Sequence, residues 1–177
     1  MVAYKERFDK DNFIKNLLLD NLLMVDIYSR SQKLHIPMEA KRTVMIVEPV
    51  DKKESGLPEA VRACFHANGK DFVTAVDENS VVIVKEIAEN DSRAEIEKTA
   101  AMIKNHLDKE GISRVHVAYG NIVNELKEVS RSYKEAKMAM DVGKIFFEER
   151  CVIASQSRPR RCHHANTAPQ NGVQTPR

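Results

Sequence analysis

The stretch RVHVAYGNIVNELKEVSRSYKEAKMAM, residues 114–140, decides the fold of this chain. Its first seven residues alternate around Val115, Val117 and Tyr119, the period of two that a strand requires. From Asn121 onward the period changes: Ile122, Leu126, Val129, Tyr133, Ala136 and Met140 recur at steps of four and three, on one face of a helix that can dock on a sheet. No side chain in that helix is arranged for reaction. The block reads as architecture, a strand running into a packed helix.

Working outward, residues 43–47 (TVMIV) read as a buried strand, and a turn with Gly56 and Pro58 leads into a short helix over 57–66. The runs DFVTAV and VVIVKEI, separated by Asp77, Glu78, Asn79 and Ser80, predict a hairpin, because Asp and Asn tolerate the left-handed geometry of a tight turn. Residues 92–107 predict a helix with Ile96, Ala100, Ile103 and Leu107 inward and Gly111 as its stop. Residues 151–153 could add a short last strand. His116 alternates against Val115 and Val117 and is expected to face solvent or a partner. The order strand, helix, hairpin, helix, strand, helix, strand predicts an α+β sandwich, helices against a mixed sheet.

Before this body lies an apolar run, residues 8–36, which predicts one long N-terminal helix with Asp9 or Asp11 as N-cap and Pro37 as terminator. On a wheel Phe13, Leu17, Met24 and Tyr28 form one stripe, Ile14, Leu18, Leu22 and Val25 the next, and Leu19, Leu23 and Ile27 the far side. A helix apolar almost all round needs partners on two sides. Packing on the domain plus self-association through Leu19, Leu23 and Ile27 would supply them; closure of its own core alone is the other reading. After residue 154 the chain turns to Pro, Gln, Asn, Ser and Arg with one aliphatic residue, Val173, and is expected to lack a core. The expected organisation is a linker or dimerisation helix at 1–39, a regulatory domain at 40–154 and a tail at 155–177.

With 177 residues, 31% charged and 42% apolar, the composition is that of a soluble globular protein. Neither a membrane span nor a hydrophobic signal core is legible, so a cytoplasmic location is expected. Cys64, Cys151 and Cys162 are too sparse for a disulfide framework or a paired-cysteine metal site. The net charge of +2 comes from four tail arginines; residues 1–154 hold 24 bases against 26 acids, which gives no electrostatic footprint for nucleic acid. Cys162, His163 and His164 lack the spacing with which a loop wraps a tetrahedral ion. The six glycines are scattered and make no phosphate-binding loop.

Ser132, Tyr133, Glu135, Ala136 and Ala139 spell Ser-Tyr-x-Glu-Ala-x-x-Ala. In this the chain resembles the GGDEF-like domain of bacterial sugar diacid and purine catabolism regulators, the CdaR/PucR type, in which that motif marks the last helix. The order of elements is also that of nucleotide-cyclase and GGDEF domains. Ala118 stands where such domains commonly keep a glycine. Active GGDEF enzymes carry a Gly-Gly pair followed by acids in the hairpin turn, where Asp77-Glu78-Asn79-Ser80 has no glycine.

The resemblance therefore implies a non-catalytic domain, without cofactor or metal, from a metabolite-responsive transcriptional regulator. It would act as a homodimer, sense a small-molecule effector and reach DNA only through a helix-turn-helix domain that is not in this sequence. The alternative is a nucleotide-binding domain of cyclase ancestry that keeps GTP and magnesium through Glu48, Asp51, Asp77 and Glu78.

Overall fold

The computed structural model describes residues 2–50, 56–65, 70–88, 93–112, 114–146 and 152–154. Two helices, α1 (Val2–Leu18) and α2 (Met24–Lys33), precede strand β1 (Glu39–Pro49). Then come α3 (Leu57–Cys64), β2 (Phe72–Ala75), β3 (Val81–Glu86), α4 (Arg93–Lys109), β4 (Val115–Tyr119) and β5 (Val123–Glu125). A 3-10 turn, Leu126–Glu128, leads into α5 (Val129–Phe146), and β6 (Val152–Ala154) follows. The sheet order is β2-β3-β1-β4-β6, with β5 beside the start of β1. β2 and β3 form the expected antiparallel hairpin, while β4 and β6 run parallel, so the sheet is mixed and the class is α+β.

The central strands are apolar on both faces because both are covered. Met45, Val47, Ile83, Val115 and Val117 pack with Leu57 and Val61 of α3 and with Ile96, Ala100, Ile103 and Leu107 of α4. Val44, Ile46, Val82, Val84 and Ala118 alternate to the opposite face, where they meet α5 and the N-terminal helices. There Leu126, Val129, Tyr133, Ala136 and Met140 sit together as their periodicity predicts. Ile122 does not: it packs in the cluster on the other face. The helix begins at Val129 rather than at residue 121, because β5 and the 3-10 turn occupy the interval.

The helical run at the N-terminus is present but broken in two. α1 ends in a Schellman motif: Asp20 N–H donates to the Leu17 carbonyl and Asn21 N–H to that of Asn16, with Asp20 left-handed at φ 61°. α2 ends the same way, His35 (φ 54°) donating to Gln32 and Ile36 to Ser31. Neither Asp9 nor Asp11 is an N-cap, since α1 already runs through both. The break resets the wheel. Phe13, Ile14, Leu17, Leu18 and Ile27 are buried in the core, whereas Leu19, Leu23, Met24, Val25 and Tyr28 are exposed.

No helix among the described residues is long and apolar enough to cross a membrane. Asp51, His66, Cys151 and the whole 155–177 tail, with Cys162, His163 and His164, lie outside the described residues.

Candidate functional site

The motif on α5 meets the sheet where its hydrogen-bond ladder is interrupted. β4 pairs with β1 as far as Tyr119 opposite Met45, and β5 resumes with Val123 opposite Arg42. Two residues of β1, 43 and 44, thus face three, 120–122, and backbone groups there cannot all find ladder partners. Side chains supply them. Val44 N–H donates to Ser132 Oγ at 3.0 Å, and the Ser132 hydroxyl donates to the Asn121 carbonyl at 2.7 Å. Thr43 Oγ1 donates to the Gly120 carbonyl at 2.9 Å, and Asn121 N–H to Glu135 Oε2 at 2.9 Å. Thr43, Val44 and Ser132 are fully buried, so the bonds their groups make here stand in for ones that water cannot reach to make.

Gly120 and the two alanines explain how α5 comes so close. A Cβ at Gly120 would overlap the Ser132 backbone carbonyl and lie 2.7 Å from its Oγ. Ala136 and Ala139, both buried, present the small side chains that let the helix lie against the strands. The serine, the glutamate, the alanines and Gly120 therefore form a latch that closes an irregular place in the sheet.

The fifth motif residue belongs to a second group. Burial pushes the Tyr133 phenol up from its ordinary pKa, and the charges of Asp77 and Glu48 push it further. The hairpin tip, the end of β1 and α5 thus share one corner of the molecule. In the tip, Asp77 Oδ1 accepts from the N–H groups of Asn79 (2.9 Å) and Ser80 (2.7 Å), the closed loop of an Asx turn. Burial opposes the Asp77 charge, but hydrogen bonds from Ser80 and Asn79 and the field of Lys137 outweigh it and hold its pKa below the usual value. Glu48 is taken up by the ammonium of Lys144. Glu78 is exposed. Among the described residues no three His, Cys, Asp or Glu side chains converge as metal ligands would.

His116 departs from its expected place: it is 8% exposed, on the face of β4 that α5 covers. Ile27 also departs. At 6% exposure it belongs to the core, while Leu19 and Leu23 are 41% and 75% exposed, so the three do not form one outer face. Met24, Val25 and Tyr28 take the place of Ile27 beside them in the chain, all more than half exposed. Two residues outside the sequence motifs tie the N-terminal segment to the body. Asp20 pairs with Lys134 of α5 at 2.8 Å, and the buried Arg42 donates to the Pro37 carbonyl at 2.8 Å. A left-handed aspartate inside an apolar run carries no local signal; a lone arginine before TVMIV, at the edge of a buried strand, could have given one.

The family described as the GGDEF-like domain matches residues 21–142, from just after the α1 terminus to near the end of α5. No curated protein matches the chain.

Proposed function

The chain belongs to the GGDEF-like domain family, and from that premise we propose that it is a non-catalytic regulatory and dimerisation domain of a metabolite-responsive transcriptional regulator of the CdaR/PucR type. DNA contact would belong to a separate helix-turn-helix domain. What carries the reading is the hairpin tip. Its one well-placed carboxylate is spent on the backbone of its own turn, there is no glycine through which a nucleotide could approach, and Glu48 is neutralised by Lys144. Catalysis by a cyclase needs acids free to hold metal. These acids hold the fold.

Self-association would use the exposed apolar side chains around the α1–α2 junction, Leu19 and Leu23 with Met24, Val25 and Tyr28, because five large apolar side chains left exposed within ten residues are what a contact would cover. Sedimentation velocity over a range of concentrations should show a dimer that Leu23→Asp weakens; a concentration-independent monomer removes the dimer from the proposal.

The second reading, a domain retaining GTP and magnesium, is favoured by one observation: Asp77 and Glu48 both act on Tyr133, so acids from the hairpin and from β1 do share a neighbourhood. Calorimetry with GTP and magnesium separates the two. Silence is expected; saturable heat lost in Asp77→Asn would replace the first reading with the second.

A further inference from the structure

We propose that α1 pairs antiparallel with α1 of a second copy of this chain, through a stripe that runs the length of the helix from Tyr4 to Leu19. This rests on the self-association proposed above and says which surface of the partner covers the apolar junction. Tyr4, Phe8, Asp11, Lys15 and Leu19 follow one another at steps of four, three, four and four, so they share one face of α1. Leu19 belongs to that face because its N–H still donates to the Lys15 carbonyl. The face is separate from the one that Phe13, Ile14, Leu17 and Leu18 bury in the core. Its ends are apolar and open: Tyr4 is 79% exposed, Phe8 60% and Leu19 41%. Its middle carries two opposite charges, the half-buried Asp11 and Lys15, and neither is ion-paired to a described residue.

Apolar side chains exposed singly are ordinary on a protein surface. Two aromatics one turn apart, in line with a leucine at the other end of the same helix, are not scattered singly. Helix stability does not account for the charges between them either. An aspartate four residues before a lysine is placed to pair along the helix, yet α1 makes that kind of pair elsewhere, between Glu6 and Lys10 at 2.9 Å. A second copy uses all five residues at once. A two-fold axis crossing α1 at the level of Phe13, midway between Asp11 and Lys15, sets Asp11 of each copy level with the partner subunit's Lys15, so the ion pair forms twice. The same axis brings Phe8 within about 1.5 Å, along the helix, of the level of the partner's Leu19, and carries Tyr4 on toward the partner's Leu23. Each apolar end thus covers the other. A parallel pairing would instead set Asp11 against Asp11 and Lys15 against Lys15, which charge repulsion disfavours. With 17 residues α1 is about 25 Å long, so a single pair of such helices lies at the small end of protein interfaces and the dimer is reversible.

Sedimentation velocity of the full chain at several concentrations tests the pairing. The parent should dimerise reversibly. Phe8→Asp changes a side chain that is 60% exposed and clear of the core, so it should leave the melting temperature of the dilute monomer unchanged. It should raise the dissociation constant about tenfold or more, as the loss of an apolar anchor does. Asp11→Lys and Lys15→Asp should each weaken self-association about tenfold, because each sets like charges together twice across the two-fold axis. Mixed in equal amounts, these two variants should associate with each other about as tightly as the parent does with itself, a recovery that no effect within one chain can produce. A dimer that Leu23→Asp weakens and Phe8→Asp does not leaves self-association standing and overturns the helix pairing. Charge variants that fail to recover on mixing overturn it as well. A parent that stays monomeric at every concentration overturns both the pairing and the self-association it rests on.

Discussion

Gly120 and Ser132 are the two sides of a single contact, and replacing either should cost stability by a different route. Ser132→Ala strips the buried Val44 N–H of its acceptor and the Asn121 carbonyl of its donor. A buried group left unpaired costs about 1–3 kcal/mol, which urea denaturation should report as a lower midpoint at unchanged slope. Gly120→Ala places a methyl carbon into the Ser132 backbone, and no rotamer change can relieve a clash with a carbonyl. Its cost should exceed about 3 kcal/mol, beyond ordinary overpacking. Asp77 carries a prediction about pH. Its folded pKa lies below the unfolded value, so the stability it contributes is fully present above about pH 4 and is lost as pH falls through the folded value. Asp77→Asn keeps the turn's acceptor and removes the titration. Its melting temperature should therefore fall less than that of the parent between pH 5 and pH 3.

At the scale of elements, three helix ends share one geometry and differ in how visible they are. α4 stops at Gly111 (φ 83°), whose N–H donates to the Asp108 carbonyl while Ile112 donates to Leu107; this end was legible, because glycine is the residue that advertises a left-handed turn. Pro37 likewise marked the end of the N-terminal run. Asp20 makes the same turn as Gly111 within a run whose apolar residues continue unbroken, and there the sequence reads as one helix. Substitution tells the two geometries apart by sign. In a continuous helix Asp20→Gly would be unfavourable and Asp20→Val mild. At a left-handed terminus Asp20→Gly should be neutral or slightly stabilising, since the exposed pair with Lys134 is worth little, and Asp20→Val should cost about 1–2 kcal/mol in thermal or chemical denaturation. The same resetting turns Ile27 inward, where the wheel of one continuous helix places it outward. The motif on α5 was legible as a pattern, but its purpose was not. Ser132 acts on Val44, 88 residues away, through a gap in strand pairing that no local period encodes.

At the scale of the whole molecule, the family match and the physical unit have different starts. The match begins at residue 21, after α1 has ended. Yet Phe13, Ile14, Leu17 and Leu18, each at most 2% exposed, pack in one cluster with Val44, Ile46 and Val84 of the sheet. Burying four such side chains contributes about 6–12 kcal/mol, comparable to the whole stability of a domain at about 5–15 kcal/mol. Deleting residues 1–20 should therefore leave a chain without a cooperative unfolding transition by circular dichroism, although every residue of the family match is retained. The latch at Ser132 has its own consequence at this scale. A helix stitched to the strands through Ser132 and Glu135 cannot slide without baring two backbone amides, so α5 and the sheet travel as one slab, and α1, buried against the same strands, travels with them.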